Sequence, residues 1–371
     1  MEKERIRITA VVGTRPEAIK LAPVIWAARE RKEQFHMSVV RTGQHRELLD
    51  PLMEELNLKA DADLEVMRPN QELSYVLAES VRGLSEFMVR NRADWVLVQG
   101  DTTSAFAGAL AGFYNSKRVG HVEAGLRTGV SRNPFPEEAN RSLIARLADL
   151  HFAPTEQARL NLLKESIASE QILVTGNTVV DTMLGQLSRS SSKRYQEHEN
   201  YIIVTVHRRE NHGLGLENIC DAMILLLEQI SDISAVIPMH PNPNVRDVLV
   251  RRLSSHPRVF LRQPIGYNEF IHLLSGALLV LTDSGGVQEE CAAIGKPVVV
   301  LRAFTERSEA TEAGVSVVVG NDPYQIIGEA HRLINKAKAG GKELRFSTIF
   351  GDGNASTRIL DKLSSIPRLS E

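Results

Sequence analysis

The sequence predicts an α/β fold with two doubly wound parallel sheets. Short apolar runs rich in β-branched residues alternate with segments of helical periodicity along nearly the whole chain. Glycine-containing or charged turns follow several of these runs, and one polar span separates two halves that repeat the same pattern. Such alternation is typical of parallel sheets covered by helices on both faces. We therefore expect two Rossmann-like domains that face a cleft.

Length and composition indicate how many domains the chain has and which kinds of partner are disfavoured. At 371 residues the chain favours two domains over one, and 43% apolar with 24% charged residues is ordinary for a globular protein. The formal net charge of −2 gives no basic excess that would favour nucleic acid or a membrane as a partner. No segment has the length of a membrane span, and the charged N-terminus runs into a strand without a signal-peptide pattern. We therefore expect a cytoplasmic protein.

The two cysteines, Cys220 and Cys291, predict neither a disulfide nor a metal site. They lie far apart in the sequence and inside predicted helices, so buried core thiols are the simpler interpretation. None of the 11 histidines forms a helical HxxxH pair with a nearby acid, so no metal centre is expected.

Strand and helix signals alternate in the first half. Residues 6–12 are apolar and β-branched, which indicates a buried strand, and Pro16 opens a segment with apolar residues at helical spacing. The predicted strands cover residues 6–12, 37–41, 95–98, 118–122, 151–153 and 171–175. The predicted helices cover residues 16–31, 44–56, 71–91, 102–114, 137–147 and 155–163.

The pattern restarts after a polar and charged span at residues 188–200, which indicates a surface connection close to a domain junction. The predicted strands of the second half cover residues 201–206, 234–238, 259–261, 278–281 and 298–301. The predicted helices cover residues 216–230, 245–253, 268–274, 287–294, 322–336 and 356–363. We assign residues 1–174 to an N-terminal domain and 175–354 to a C-terminal domain, and expect the terminal helix within 355–371 to pack back on the N-terminal domain.

Residues 278–307 carry the clearest ligand signal. A buried strand runs into Ser284, Gly285 and Gly286 and then into a helix, so a ligand can approach the backbone, and the free helix amides favour an anion such as phosphate. Glu289 and Glu290 on the helix are suited to accept hydrogen bonds from sugar hydroxyls. The alternative is an ordinary strand–helix unit with solvated glutamates.

A second anion signal follows the first strand. Arg15 lies at the strand's carboxyl end and Lys20 lies about one turn into the next helix. Two cations at a helix N-terminus suit a diphosphate, because they oppose the helix dipole unless an anion is present. The alternative is a solvated first turn.

Carboxylates end several elements of the first half, at Asp101, Glu123, Glu137 and Glu138. Carboxylates beside a cleft act as general acids or bases once burial shifts their pKa. The alternatives are that Glu137 and Glu138 only complement a helix dipole and that Asp101 only caps the next helix.

His207 ends the first strand of the second half and precedes two arginines. A histidine at a predicted carboxyl edge beside arginines favours contact with an anion or proton donation. His240 begins a turn-rich loop that we place at the cleft rim.

These segments together resemble the non-hydrolysing UDP-N-acetylglucosamine 2-epimerases, and the match is colinear over nearly the whole chain. The segments are GTRPEAIK (13–20), TGQHRELLD (42–50), QGDTTSA (99–105), HVEAGLRTG (121–129), PFPEEANR (134–141), TGNTVVD (175–181), HRREN (207–211), HPNPNVR (240–246), TDSGGVQEE (282–290) and GKPVVVLR with TER (295–307).

The resemblance implies a glycosyltransferase-B-like architecture and reversible conversion of UDP-GlcNAc to UDP-ManNAc. No metal or nicotinamide cofactor is implied, and UDP is eliminated to give 2-acetamidoglucal before it adds back. The resemblance also implies a homodimer, a UDP-GlcNAc activator and a place in cell-surface polysaccharide biosynthesis.

Roles carried over from the family are expectations for this sequence. Catalytic roles fall on Asp101, Glu123, Glu137 and His207. Substrate and UDP contacts fall on Arg15, Lys20, Gln263, Phe270, Ser284, Gly285, Gly286, Glu290 and Arg307. An activator site falls on Gln44, Gln71, Arg208 and His240.

Other interpretations compete with this one. A hydrolysing 2-epimerase would release ManNAc and UDP, and a relative acts on a diacetamido nucleotide sugar; the GTRPEAIK form of the first motif favours the non-hydrolysing branch. A transferase would need an acceptor site, for which the sequence shows no apolar or amphipathic patch. A nucleotide-sugar-binding protein would tolerate loss of the three carboxylates, which are all present.

Overall fold

The computed structural model describes residues 5–43, 46–68, 71–189, 200–305, 307–339 and 348–367. The chain divides into two compact units, Met1–Gly185 with Gly351–Glu371, and Gln186–Phe350. Each unit contains one parallel sheet with helices, so the predicted α/β class with two Rossmann-like units is confirmed.

The first unit is built on a seven-stranded parallel sheet with the order β3-β2-β1-β4-β5-β6-β7. Its strands are β1 (Ile6–Val12), β2 (Phe35–Arg41), β3 (Ala62–Asp63), β4 (Trp95–Gln99), β5 (Arg118–Val122), β6 (Leu150–Ala153) and β7 (Ile172–Val174). Residues 8–12, 95–99 and 119–122 are buried, because helices cover both faces of the sheet.

The helices of this unit alternate with its strands. They are α1 (Arg15–Glu30), α2 (Arg46–Glu55), α3 (Leu73–Arg90), α4 (Thr103–Tyr114), α5 (Glu137–Leu147), α6 (Glu156–Lys164) and α7 (Thr178–Arg189). The small residues of α4 allow close approach to the sheet: a Cβ at Gly108 would lie 2.7 Å from Cγ1 of Val98.

The second unit is built on a six-stranded parallel sheet with the order β10-β9-β8-β11-β12-β13. Its strands are β8 (Tyr201–Thr205), β9 (Ser234–Pro238), β10 (Val259–Arg262), β11 (Leu279–Thr282), β12 (Val298–Val300) and β13 (Ser316–Val318). Its helices are α8 (Leu214–Gln229), α9 (Pro243–Leu253), α10 (Tyr267–Gly276), α11 (Gly285–Ala293), α12 (Ser308–Glu312) and α13 (Pro323–Lys338).

Both cysteines are buried and free, Cys220 in α8 and Cys291 in α11, which confirms the prediction of core thiols. Burial raises the pKa of Cys220 to about 12 and holds the pKa of Cys291 well above its ordinary value. Across the described residues, no helix is long and apolar enough to cross a membrane.

Predicted boundaries mostly lie within a few residues of the observed ones, but the sequence does not predict α7. Its buried face mixes apolar Val179, Val180 and Met183 with polar Thr178 and Thr182, so the number of apolar residues understates how much of the helix is buried. The two-residue β3, the single-turn α12 and the three-residue β13 are also absent from the prediction, because such short elements leave no periodic signal.

The division between the units lies inside α7, eleven residues beyond the predicted boundary at residue 174. The first turns of α7 belong to the first unit, where the Thr182 hydroxyl donates to the carbonyl of Ile19 at 2.6 Å.

The terminal helix α14 (Ala355–Ser365) packs against α1 of the first unit. Its first turn is held by Asp181 of α7, whose buried carboxylate accepts from the Ser356 amide at 2.8 Å and the Ser356 hydroxyl at 2.7 Å. The cap residue Asn354 makes no side-chain cap bond, so Asp181 supplies the acceptor for the free amides of α14.

A buried glutamate ties together the loops after β1 and β4. Glu17 accepts from the Gly13 amide at 2.8 Å and the Thr14 amide at 2.6 Å, and its other oxygen accepts from the Thr102 hydroxyl. Burial raises the pKa of Glu17 to about 7, although these hydrogen bonds oppose the shift.

We predict that Asp181→Ala lowers the free energy of unfolding by about 1–3 kcal/mol, because buried amides of α14 lose their acceptor. Asp361→Ala on the same helix removes only the exposed pair with Arg31 and is expected to cost less than about 1 kcal/mol. Denaturant unfolding of both variants measures the difference, and equal costs would contradict the role of Asp181.

We predict that Glu17 makes the free energy of unfolding fall as pH rises from about 4.5 to about 7. In that range the folded carboxyl keeps a proton that the unfolded one releases, a contribution of roughly 3 kcal/mol. Glu17→Gln removes this term, so its stability is expected to depend less on pH than that of the wild type. Unfolding at a series of pH values, with the exposed Glu30→Gln as control, tests this; equal slopes for Glu17→Gln and wild type would refute it.

Candidate active site

Several of the predicted site residues follow the strands on either side of the point where strand order reverses. In the first sheet the reversal lies between β1 and β4, and in the second between β8 and β11. Ligands of doubly wound sheets bind outside the carboxyl ends of the strands at this point. We call the site residues of one unit a half-site, and each half-site has its own geometry.

Glu123 is a buried carboxylate of the first half-site. It follows β5 in the left-handed conformation, with φ of 62°, and is 8% exposed. It forms an ion pair with Lys20 and accepts from the amide of Gln99, and Asn177 Nδ2 donates to its Oε1 at 2.8 Å. These partners from three elements fix the orientation of the carboxylate.

Asp101 is bound by an arginine that the sequence analysis does not single out. Arg141 of α5 contacts Asp101 Oδ2 through Nε at 2.8 Å and Nη2 at 2.7 Å, and Asn140 donates to the Asp101 carbonyl at 2.8 Å. The interpretation of Asp101 as a helix cap is wrong, because Thr102 caps α4 by accepting from the amide of Ala105 at 3.0 Å.

The adjacent Glu137 and Glu138 have different environments. Glu138 is buried, accepts from the amides of Thr128 and Gly129 at 3.0 and 3.1 Å, and binds Arg141 at 2.9 Å. Oε2 of Glu137 is also buried, and within the described parts of the chain it has no hydrogen-bond partner. Glu138 is thus a structural anchor for the loop before α5, while Glu137 retains an acceptor for a ligand.

Arg15 is the first residue of α1 and is partly buried. Burial lowers the pKa of its guanidinium, and the charge of Glu55 acts in the opposite direction. Lys20 lies farther along α1, where its ammonium pairs with Glu123. The two predicted anion-binding cations therefore have different surroundings in the first unit.

The second half-site is organised by Asp283, to which the sequence analysis assigns no role. Its fully buried carboxylate accepts from His207 Nδ1 at 3.0 Å and from the Arg208 amide at 2.9 Å, and Asn211 Nδ2 donates at 3.1 Å. Burial acts to raise the pKa of Asp283, but the bonds from His207 and Arg208 outweigh it and hold the pKa below its ordinary value. An aspartate directly after a buried strand was the signal available in the sequence.

The N-terminus of α11 carries the predicted glycines. A Cβ at Gly285 would lie 2.8 Å from Cζ of Arg307, so the guanidinium packs directly on this backbone. A Cβ at Gly286 would meet no atom of the described residues within 4 Å, so that part of the chain leaves space beside this backbone. Ser284 is the N-cap residue, and the helix amides and the nearby guanidinium suit an anion.

The interpretation of Glu289 and Glu290 as solvated glutamates is wrong, because they are 1% and 5% exposed. Glu289 binds Arg307 Nε at 2.8 Å, and Glu290 Oε1 accepts from the hydroxyl of Tyr267 at 2.9 Å. Neither Tyr267 nor the pairing of Glu289 with Arg307 is predicted from the sequence, because both depend on contacts between separate elements.

The remaining predicted residues lie at several places. In the second unit, His240 stacks on His207 with ring centroids 5.6 Å apart, Gln263 is exposed after β10, and Phe270 packs on the core. In the first unit, Gln71 accepts from the Arg68 amide at 2.7 Å. Gln44 lies outside the described residues.

The two half-sites support different chemistry. The first supplies three carboxylates, two of them paired with cations, which suits proton transfer. The second supplies helix amides, an arginine and a histidine, which suits a phosphorylated ligand. A search of the described residues finds no group of three or more His, Cys, Asp or Glu side chains that could hold a metal ion.

Comparison with known proteins identifies the family. The family model for UDP-N-acetylglucosamine 2-epimerase matches residues 27–364. The UDP-N-acetylglucosamine 2-epimerase of Escherichia coli K12 is 43% identical, with 97% of this chain and 99% of the relative covered.

Solved structures agree with this match and confirm the predicted glycosyltransferase-B-like fold class. The UDP-GlcNAc 2-epimerase from Neisseria meningitidis bound to UDP-GlcNAc has a TM-score of 0.90 and 42% identity, covering 97% of this chain and 100% of that one. The Methanocaldococcus jannaschii enzyme in complex with UDP-GlcNAc and UDP has a TM-score of 0.84 and 32% identity, with 97% and 100% covered. The chain therefore belongs to the UDP-N-acetylglucosamine 2-epimerase family.

Proposed function

We propose that this protein interconverts UDP-GlcNAc and UDP-ManNAc by eliminating UDP and adding it back, without releasing the free sugar. The observation that carries the proposal is the presence of three carboxylates, Asp101, Glu123 and Glu137, in a family member whose second unit has an open helix N-terminus suited to phosphate. The Neisseria relative is bound to UDP-GlcNAc, which supports this substrate.

The chemistry explains why both kinds of group are needed. The hydrogen on C2 of the sugar is not adjacent to a carbonyl, so simple deprotonation is unfavourable. Cleavage of the C1–O bond places the electron pair on UDP, and loss of the C2 proton then gives 2-acetamidoglucal. Re-addition of UDP at C1 with protonation of C2 from the opposite face gives the epimer. Stabilisation of the departing diphosphate lowers the barrier in both directions.

We assign UDP to the second half-site. The turn at residues 284–286 is assigned to phosphate, with the amides of Gly285 and Gly286 as donors because the Ser284 amide donates to the Thr282 hydroxyl at 3.0 Å. Arg307, whose guanidinium packs beside Gly285, adds a fixed positive charge. Further assignments are Glu290 to the ribose hydroxyls, Gln263 and Phe270 to the uracil, and His207 to the diphosphate.

We assign proton transfer at C2 to the carboxylates of the first half-site. Glu123 and Asp101 are oriented by Lys20 and Arg141, and Glu137 keeps a buried oxygen for a ligand. We also assign Lys20, whose ammonium pairs with Glu123, to the diphosphate.

Two further expectations stay predictions. They are a homodimer and a UDP-GlcNAc activator site that includes Gln71, Arg208 and His240.

We predict that the purified protein converts UDP-GlcNAc to UDP-ManNAc in D₂O with EDTA present, with deuterium entering C2 of both nucleotide sugars. Proton NMR over time measures both the new sugar and the loss of the C2 signal. Free ManNAc with stoichiometric UDP would contradict the proposal and indicate a hydrolysing enzyme. An unchanged substrate that demonstrably binds would contradict epimerase activity altogether.

We predict that Asp101→Asn and Glu123→Gln each lower turnover by about 10²–10⁴-fold, because each removes a group proposed to move a proton at C2. UDP affinity measured by calorimetry is expected to persist, since neither carboxylate is assigned to the nucleotide. Glu156→Gln, an exposed glutamate on α6, is the matched control and should keep wild-type turnover. Wild-type turnover in either variant would remove that carboxylate from the mechanism.

A further inference from the structure

We propose that Asp283 is a positioning residue that holds the His207 ring with Nδ1–H directed at its carboxylate, so that Nε2 is the nitrogen presented to the diphosphate. The inference rests on the proposed function for its effect on turnover, but the orientation and tautomer of His207 are properties of the protein alone.

The position of the pair follows from the sheet. Thr205 at the end of β8 and Thr282 at the end of β11 are register partners, and their hydroxyls lie 2.6 Å apart. Asp283 follows Thr282 directly, and His207 lies two residues beyond Thr205. The pair therefore spans the reversal of strand order, where a doubly wound sheet binds its ligand.

Every described contact of the Asp283 side chain is with a hydrogen-bond donor. The His207 amide donates to both oxygens at 3.1 and 3.0 Å, and the Arg208 amide and Asn211 Nδ2 donate to Oδ2 at 2.9 and 3.1 Å. His207 Nδ1 lies 3.0 Å from Oδ1. A carboxylate in these surroundings only accepts, so Nδ1 must carry a hydrogen.

The ring of His207 is held on a second side as well. It stacks on His240 with an interplanar angle of 21°, while 35% of the His207 side chain stays exposed, whereas Asp283 is fully buried. Because Nδ1 of His207 is hydrogen-bonded to Asp283, Nε2 is the ring nitrogen that can contact a ligand. When the ring is protonated, Nε2–H donates to an oxygen of the departing diphosphate, and the buried carboxylate balances the imidazolium charge.

The Asp283→Asn variant tests the tautomer of His207, because the backbone amides of His207 and Arg208 remain donors whatever side chain they face. The Arg208 amide requires an acceptor at the Oδ2 position, so the carbonyl oxygen of Asn is expected there. Its NH₂ group then faces His207 Nδ1, which must become an acceptor and shift the hydrogen to Nε2. A neutral Nε2–H ring can still donate to phosphate but cannot supply the balanced positive charge.

The experiment combines ring spectroscopy with kinetics on the full-length protein. Long-range ¹H–¹⁵N spectra of ¹⁵N-histidine-labelled protein over a pH series report the tautomer, and the signal lost in His207→Gln assigns His207. We expect a neutral ring with Nδ1–H in wild type and with Nε2–H in Asp283→Asn. In the variant, kcat falls by about 10²-fold or more while the Kd for UDP changes by less than about tenfold. Asp221→Asn, at a half-exposed aspartate of α8 that pairs with Arg252, is the matched control.

Two results would overturn the inference. One is a spectrum in which the neutral His207 ring of the wild type carries its hydrogen on Nε2. This measurement does not depend on whether an Asp283 variant folds. The other is a folded Asp283→Asn with wild-type kcat. Failure of the proposed function is distinguishable, because it appears as absence of epimerisation in the wild type whatever the tautomer.

Discussion

A buried carboxylate at the reversal of strand order holds the loops that follow the neighbouring strands in each unit. In the first unit Glu17 accepts from the loop after β1 and from Thr102 after β4, and in the second Asp283 accepts from His207 and Arg208 after β8. Parallel strands leave free amides and hydroxyls at this edge, and a carboxylate with several acceptor sites satisfies donors from two loops at once.

The two carboxylates differ in their protonation because their partners differ. Among the described residues, the donors to Glu17 are neutral amides and hydroxyls, so burial dominates and raises its pKa to about 7. Asp283 receives an imidazole in addition to amides, so its pKa stays below the ordinary value despite complete burial. The first arrangement costs stability near neutral pH, whereas the second maintains a negative charge beside a histidine assigned to the diphosphate.

Three ion pairs join other charged side chains of the half-sites. Glu123 lies with Lys20, Asp101 with Arg141, and Glu289 with Arg307. These ion pairs are partly or fully buried, so losing one partner would leave the other charge poorly solvated. The pairs also fix each carboxylate or guanidinium before a ligand arrives, which lowers the reorganisation needed during reaction.

The order of strands and helices, the two-unit fold and the family follow from the sequence, because periodicity and motifs are local signals. The spacing of Glu138 and Arg141 was also a visible helical pair. Only the tertiary structure decided that Arg141 also reaches Asp101, that Lys20 binds Glu123 and that Asp283 binds His207. Those partners are separated by 40, 103 and 76 residues. Such pairings depend on which strands become neighbours and on the space left between them, and neither is encoded in local residue patterns.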